Sequence, residues 1–426
     1  MSVRFEGADD QAGAGSGSRA RDLSGTELSG PDLSGPDLSG QGAAGSTRRG
    51  QAVDEAGVVL ERALFEVKKV VVGQDRMVER MVVALLARGH CLLEGVPGVA
   101  KSLAVETLAR VVGGSSVRLQ FTPDLVPSDI VGTRIYRASR ESFDVELGPI
   151  FANLVLVDEI NRAPAKVQSA LLEVMAERQV SIGGTTYPLP TPFLVLATQN
   201  PIESEGVYPL PEAQRDRFLM KVEVGHPSMP EEMEIVRRMA VSPPRAEQVL
   251  ELDDLVTLQA AVDGVFLHHA VGEYAVRLVM ATREPDRWGL SQLTALLAHG
   301  ASPRGSLGLV QGAKALAVLR GRDYVLPVDV ADLAIDVLAH RLVLTYEALA
   351  DDVPARELVR QVLERIDPPQ VAPSQHGSAQ HGSAQHGSAQ HGSGQHGSGQ
   401  YGSGQQGSAQ YGSDRQGSDR QGRGVA

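Results

Sequence analysis

Between residues 52 and 368 the apolar positions recur with two different periods. VDEAGVVLERALFEVKKVV (53–71) and DRMVERMVVALLARG (75–89) space them three and four apart, which gives an α-helix one apolar face. Four shorter runs are almost continuously aliphatic: CLLEG (91–95), VRLQF (117–121), LVLVDE (154–159) and FLVLATQN (193–200). Strands of that kind, separated by helical segments, predict a parallel sheet covered on both faces. After about Pro227 the strand signal fades. MEIVRRMA, DDLVTLQAAVD, HHAVGEYAVRLVMATR, RGSLGLVQGAKALAVLRG and PVDVADLAIDVLAHRL all carry the helical period. The pattern predicts an α/β domain over 51–228 and a smaller helical domain over 229–368.

Both ends lose this patterning. Residues 22–40 repeat a five-residue unit, DLSG-TELSG-PDLSG-PDLSG, and from about Ser374 to Arg423 the chain repeats SAQHG and SGQYG. Four pentapeptide copies are too few to bury a core, and Gly, Ser and Gln with few aliphatics do not offset the entropy of ordering. Segments 1–50 and 369–426 are therefore expected to be disordered. The tail histidines His376, His381, His386, His391 and His396 recur every five residues, a spacing that matches no structured metal-ligand set.

Composition narrows the function classes. The net charge is −12 over 426 residues, and nearly all of it falls on the patterned middle. That argues against broad nucleic-acid binding, which needs a basic footprint. A single cysteine, Cys91, excludes an intrachain disulfide, and its apolar neighbours predict a buried, inert thiol. No apolar run approaches the roughly 20 residues that cross a bilayer, and the N-terminus lacks a secretory core. A cytoplasmic protein is the expectation.

The candidate chemistry lies at strand ends. Gly95-Val96-Pro97-Gly98-Val99-Ala100-Lys101-Ser102 fits the phosphate-binding pattern G-x-x-x-x-G-K-[ST] except at Ala100. In such a loop the turn amides and the following helix start point at phosphate oxygens, the lysine neutralises charge and the hydroxyl joins a magnesium ion. Ala100 is tolerable there at negative φ and damaging if φ must be positive. Asp158 and Glu159 end an aliphatic strand, with Asp158 lying 57 residues after Lys101. At the carboxyl edge of a parallel sheet Asp158 would hold Mg2+, and Glu159 would orient or deprotonate water. Asn200 ends a third run; it would contact a γ-phosphate or position the water, or else Asn200-Pro201 simply breaks the strand.

Taken together, Val72-Gly73-Gln74, EGVPGVAKS, LVLVDEINRAPAKVQSALLEVMAERQV, LATQNPIESEGVYPLPEAQRDRF and GASPRG resemble the AAA+ ATPases, specifically the MoxR family, over roughly Val53–Asp367. Ala often stands at the place of Ala100 in such sequences. The resemblance implies a P-loop αβα domain with a parallel sheet followed by an all-α lid. ATP and Mg2+ are the cofactors, with Val72, Gly73 and Gln74 near the adenine and Gly95 to Leu103 (Gly95, Val96, Pro97, Gly98, Val99, Ala100, Lys101, Ser102, Leu103) around the phosphates. Lys101 and Ser102 take the Walker A roles, Asp158 and Glu159 the Walker B roles, and Asn200 that of sensor 1. Arg217 resembles an arginine finger reaching a neighbouring subunit, with Arg215 read as a salt-bridged surface residue. Arg304 resembles sensor 2. The segments IYRASRESFDVEL and VSIGGTTYP read as hairpins, the second turning at Gly183-Gly184, and in this branch such hairpins face the pore or the substrate. Implied partners are further copies in a homo-oligomeric, hexameric ring, a client protein, and a protein with a von Willebrand A-type domain. The competing readings are a nucleotide-gated scaffold with little turnover and a DNA motor.

Overall fold

The computed structural model describes residues 41–201, 206–240 and 243–370, with the backbone alone for 41–52 and 54. The repeats at both ends and the five tail histidines lie outside the described residues. Helix α1 (Gln41–Val70) starts inside the segment expected to be disordered. Next come α2 (Asp75–Leu86), β1 (Cys91–Gly95), α3 (Lys101–Val112), β2 (Ser116–Gln120) and α4 (Pro127–Val131). The hairpin β3 (Gly132–Arg137) and β4 (Ser142–Leu147) leads to β5 (Leu154–Asp158) and α5 (Ala165–Glu177). A second hairpin, β6 (Gln179–Ile182) and β7 (Thr185–Pro188), precedes β8 (Leu194–Gln199), α6 (Glu212–Arg215), β9 (Met220–Val224) and α7 (Met229–Met239). Both hairpins stand where the sequence places them, and Gly183 and Gly184 take φ of +60° and +87° at the second turn.

The sheet is wholly parallel, in the order β2-β5-β8-β1-β9. Its fifth strand, β9, was not expected: MKVEV alternates with Lys221 and Glu223, so it lacks the continuous aliphatic signal of β1, β5 and β8. Side chains alternate cleanly between two cores. Cys91, Leu93, Leu154, Leu156, Leu194 and Leu196 join one, while Leu92, Val155, Val157, Val195 and Ala197 join the other. The first core also takes in α1, α2, α3 and the helical region; the second takes in α4, α5 and β6. Cys91 is fully buried, and burial pushes its thiol above the usual range, so the inert reading holds.

The helical region comprises α8 (Leu252–Asp263), α9 (His269–Arg283), α10 (Ser291–Thr294), α11 (Pro303–Leu319), α12 (Pro327–Leu338), α13 (Tyr346–Ala350) and α14 (Ala355–Arg365), with the short pair β10 (Leu297–His299) and β11 (Val343–Leu344). It shares its core with α1, α2 and α3 rather than standing apart. Arg80 of α2, 1% exposed, crosses to α12: Nε donates to Asp336 at 2.8 Å and Nη2 to Asp332 at 2.8 Å. Among the described residues no helix is long and apolar enough to cross a membrane.

His90 ties β1 to its neighbours. Its Nδ1 accepts from the Val195 amide at 3.0 Å, Nε2 lies 3.2 Å from the Met175 carbonyl, and burial pulls its pKa down to about 4. Burial and Arg341 likewise hold His340 well below its ordinary value. A folded-state pKa below the unfolded one means the stabilisation is complete above pH 6.5 and is lost as pH falls toward 4. His90 alone accounts for about 3 kcal/mol of that loss. Urea unfolding at pH 7.5 and 4.5 should therefore show falling stability, with a shallower slope for His90→Leu. An unchanged slope in that variant would contradict the assignment.

Candidate nucleotide site

The strand β1 delivers the chain to the sheet edge and must turn at once into α3. Gly95 is required by close approach, since a Cβ there would lie 2.3 Å from the Val224 carbonyl oxygen of β9. Gly98 supplies the turn at φ +84°, and Ala100 adopts φ +63°, the left-handed region. The negative φ that would have made Ala100 unstrained is not observed. A non-glycine residue pays about 1–2 kcal/mol for that conformation. The first amides of α3 have no partner within the helix and carry its positive dipole end. This turn is the local machinery of an anion cradle.

Four strand ends converge on the cradle. Ser102 Oγ donates to Asp158 Oδ1 at 2.8 Å, and Thr198 Oγ1 donates to the same oxygen at 3.1 Å. Arg118 of β2 donates from Nε to Asp158 Oδ2 at 2.7 Å. Glu159, at φ +57°, accepts from Gln120 Nε2 at 2.9 Å and pairs with Arg162 Nε at 3.1 Å. Its amide donates to Thr198 Oγ1 at 3.0 Å. Lys101 Nζ donates to the carbonyls of Gly95 and Val96, the latter at 2.9 Å. Burial lowers the Lys101 ammonium pKa, while Asp158, Glu159 and Glu94 act in the opposite sense. Asn200 is buried at the same edge.

These groups line a recess of about 510 Å³. Its polar side is Pro97 to Leu103 with Arg118, Gln120, Asp158, Glu159, Thr198, Gln199 and Asn200. Its apolar side is Val70, Val72, Ile235 and Met239. Polar groups at one end and aliphatic side chains at the other suit a phosphorylated ligand with a flat ring. Val72 is part of this lining, whereas Gln74 is not and donates to the Gly225 carbonyl at 3.0 Å. Arg118, Gln120 and Thr198 were not singled out from sequence. VRLQF was read only as a strand, although its polar positions at the carboxyl end were the available signal.

The two remaining arginines stand outside the lining of this recess. Arg217 Nη1 donates to the Leu172 carbonyl at 2.6 Å. Arg304 lies 3.4 Å from Asp216 Oδ2, next in sequence to Arg217. Arg215, expected to be salt-bridged at the surface, is half-buried instead, and its Nε has no hydrogen-bond partner. A second cavity, of about 450 Å³ between α1 and α7, is lined by Phe65, Lys68, Lys69, Arg237, Arg238 and Pro244. Its cations are already paired with Asp75, Glu66 and Glu234, and no strand end reaches it.

Residues 90–220 match the ATPase family associated with various cellular activities (AAA), and residues 293–362 match the AAA lid domain. The chain is 64% identical over 312 residues to Chaperone MoxR1 of Mycobacterium tuberculosis, covering 73% of this chain and 83% of that protein. The chain belongs to the MoxR family of AAA+ ATPases. It is also 34% identical over 328 residues to Protein MoxR of Methylorubrum extorquens, covering 71% of this chain and 93% of that one. A Cytophaga hutchinsonii protein solved as a candidate ATPase superposes with a TM-score of 0.71 at 42% identity, spanning 78% of this chain and all of that one. The AAA match spans the whole polar lining of the recess, from Pro97 to Asn200.

Ser102 and Asp158, touching through hard oxygen atoms, fit a magnesium ion, which keeps several waters and needs only one or two protein ligands. Among the described residues there is no larger cluster of His, Cys, Asp or Glu able to hold a metal.

The strain at Ala100 is testable. Ala100→Gly should keep nucleotide binding and raise stability by up to about 1 kcal/mol, the left-handed penalty less the entropy of a glycine in the unfolded chain. Ala100→Val should abolish binding of a fluorescent ATP analogue, because a β-branched residue resists positive φ. Full binding by the valine variant would show that the loop conformation is not needed.

Proposed function

We propose that this chain hydrolyses ATP and that hydrolysis is completed across two copies of it. One observation supports the reading best. Lys101, Ser102, Asp158, Glu159 and Asn200 share one recess, while Arg304 pairs with Asp216, the residue before Arg217, and both arginines lie outside its lining. Phosphoryl transfer needs aligned reactants and neutralised charge more than covalent help. Mg2+ held by Ser102 and Asp158 would supply charge neutralisation at the β- and γ-phosphates. Lys101 would exchange its two carbonyl partners for phosphate oxygens. Glu159 would orient the attacking water and take its proton, and Asn200 would fix the water against the γ-phosphate. Arg217 and Arg304 would serve the nucleotide of the adjoining copy, which makes turnover depend on assembly, most simply as a hexameric ring.

The wider reading is a chaperone that couples this cycle to remodelling a client protein, with a von Willebrand A-type domain protein as partner. The name of the Mycobacterium tuberculosis relative supports the chaperone part. The nucleotide-gated scaffold is the second reading, favoured by the engagement of Glu159 with Gln120 and Arg162. The net charge of −12 weighs against a DNA motor.

ATP turnover by the purified chain tests the proposal. Lys101→Ala should remove both binding and turnover. Glu159→Gln should keep binding and lower turnover by about 10²–10⁴-fold, the usual contribution of a general base. Chelation of Mg2+ should stop turnover. Hydrolysis that survives both substitutions would place the chemistry elsewhere.

A further inference from the structure

We infer that Asp216 is the positioning residue that ties the segment carrying Arg217 to the start of α11, which carries Arg304, for use by the adjoining copy. The inference rests on the two-copy reading above. It goes beyond that reading by assigning the residue that joins the two arginine-bearing segments.

Asp216 closes the short helix α6, immediately before Arg217. Its carboxylate accepts from Ser302 Oγ at 3.0 Å on each oxygen. Ser302 is the N-cap of α11, and its hydroxyl in turn accepts from the Arg304 amide at 3.2 Å. Arg304 Nη1 reaches Asp216 Oδ2 at 3.4 Å. One carboxylate therefore holds the start of α11, and the arginine on it, against the segment that carries Arg217.

A third cation completes the junction. Arg341 follows α12, is 8% exposed, and pairs through Nε with Asp216 Oδ1 at 3.0 Å. Its Nη2 donates to the Phe218 carbonyl at 2.6 Å and its Nη1 to the Leu219 carbonyl at 3.1 Å. Arg341 thus grips the backbone just after Arg217. Phe218 is fully buried, and the Leu219 amide donates to the His90 carbonyl at 2.8 Å, which fixes the same segment to the sheet. Arg304 and Arg341 both pair with this one acid, which lies between Arg215 and Arg217 in the sequence. Without it the cations repel one another, and Arg304 and α11 lose their attachment to the Arg217 segment. The carboxylate touches no part of the recess lining, so its effect would travel only through the arginines.

Asp216→Asn keeps the volume and removes the charge. It should leave the affinity for ATP unchanged and lower kcat roughly 100-fold, the loss expected from a misplacement near 1 Å. Ser302→Ala, which removes only the hydroxyl, should lower kcat in the same direction by less and remains informative if the Asn variant folds poorly. Co-assembly supplies the readout that a purely structural defect would not move. Lys101→Ala chains, inactive alone, and the slowed Asp216→Asn chains should together exceed the sum of their separate turnovers when mixed, because the wild-type arginine face of the first then meets the intact recess of the second. Loss of ATP affinity in Asp216→Asn overturns the inference. So does a mixture that gains nothing while Lys101→Ala and Arg217→Ala chains restore one another. If that last pair also gains nothing, the two-copy reading falls and the positioning role falls with it.

Discussion

The buried guanidinium of Arg80 ties α2, beside the sheet, to α12 of the helical region. It is held by Asp336 and Asp332 of α12, and by Glu79 beside it, while Arg76 adds a second contact to Asp336 at 3.0 Å. Burial disfavours the charge, but the surrounding carboxylates outweigh it, so the guanidinium is raised above its ordinary pKa. Such a network adds little stability over an apolar packing of the same volume; its effect is to favour one orientation. That orientation seats the helical region on α1 and α2, on the side of the sheet that carries β1's Cys91 and Leu93. Arg304, on α11 of the same region, lies at Asp216 and outside the recess lining.

Two of the six non-glycine residues with left-handed backbone among the described residues line the recess. Ala100 and Glu159, neighbours across the recess, both take left-handed backbone conformations without being glycine. Each costs on the order of 1 kcal/mol, and such residues persist where the surroundings over-determine them. The surroundings here are evident: β1 and α3 lock Ala100 from both sides, and Thr198 and Gln120 tie down the amide and carboxylate of Glu159.

Much of this was legible in the sequence, for identifiable reasons. The runs at β1, β5 and β8 are aliphatic on both faces because both faces are covered, and that leaves an unbroken apolar signature. The phosphate-loop pattern and the Asp158-Glu159 pair are local, so the sequence offered them as candidates, and the family resemblance supplied their roles. What escaped depends on contacts distant in sequence. Arg118 and Gln120 become part of the site only because β2 lies beside β5 in register, with Gln120 opposite Asp158. The site of Arg304 follows from how α11 docks, which no motif around GASPRG encodes. Arg215 looked like a surface residue, yet it is half-buried on α6 with its Nε covered. The onset of α1 at Gln41 was hidden by Gly and Ser in a segment that lacks apolar periodicity.

If the recess holds the nucleotide and a second copy supplies the arginines, assembly and hydrolysis cannot be separated. The most direct check is turnover per chain measured against protein concentration at saturating ATP, with the oligomeric state followed by mass in the same samples. Turnover should rise with the assembled fraction and fall toward zero in samples that are monomeric yet still bind ATP. A monomer that hydrolyses ATP at the full rate would contradict the account.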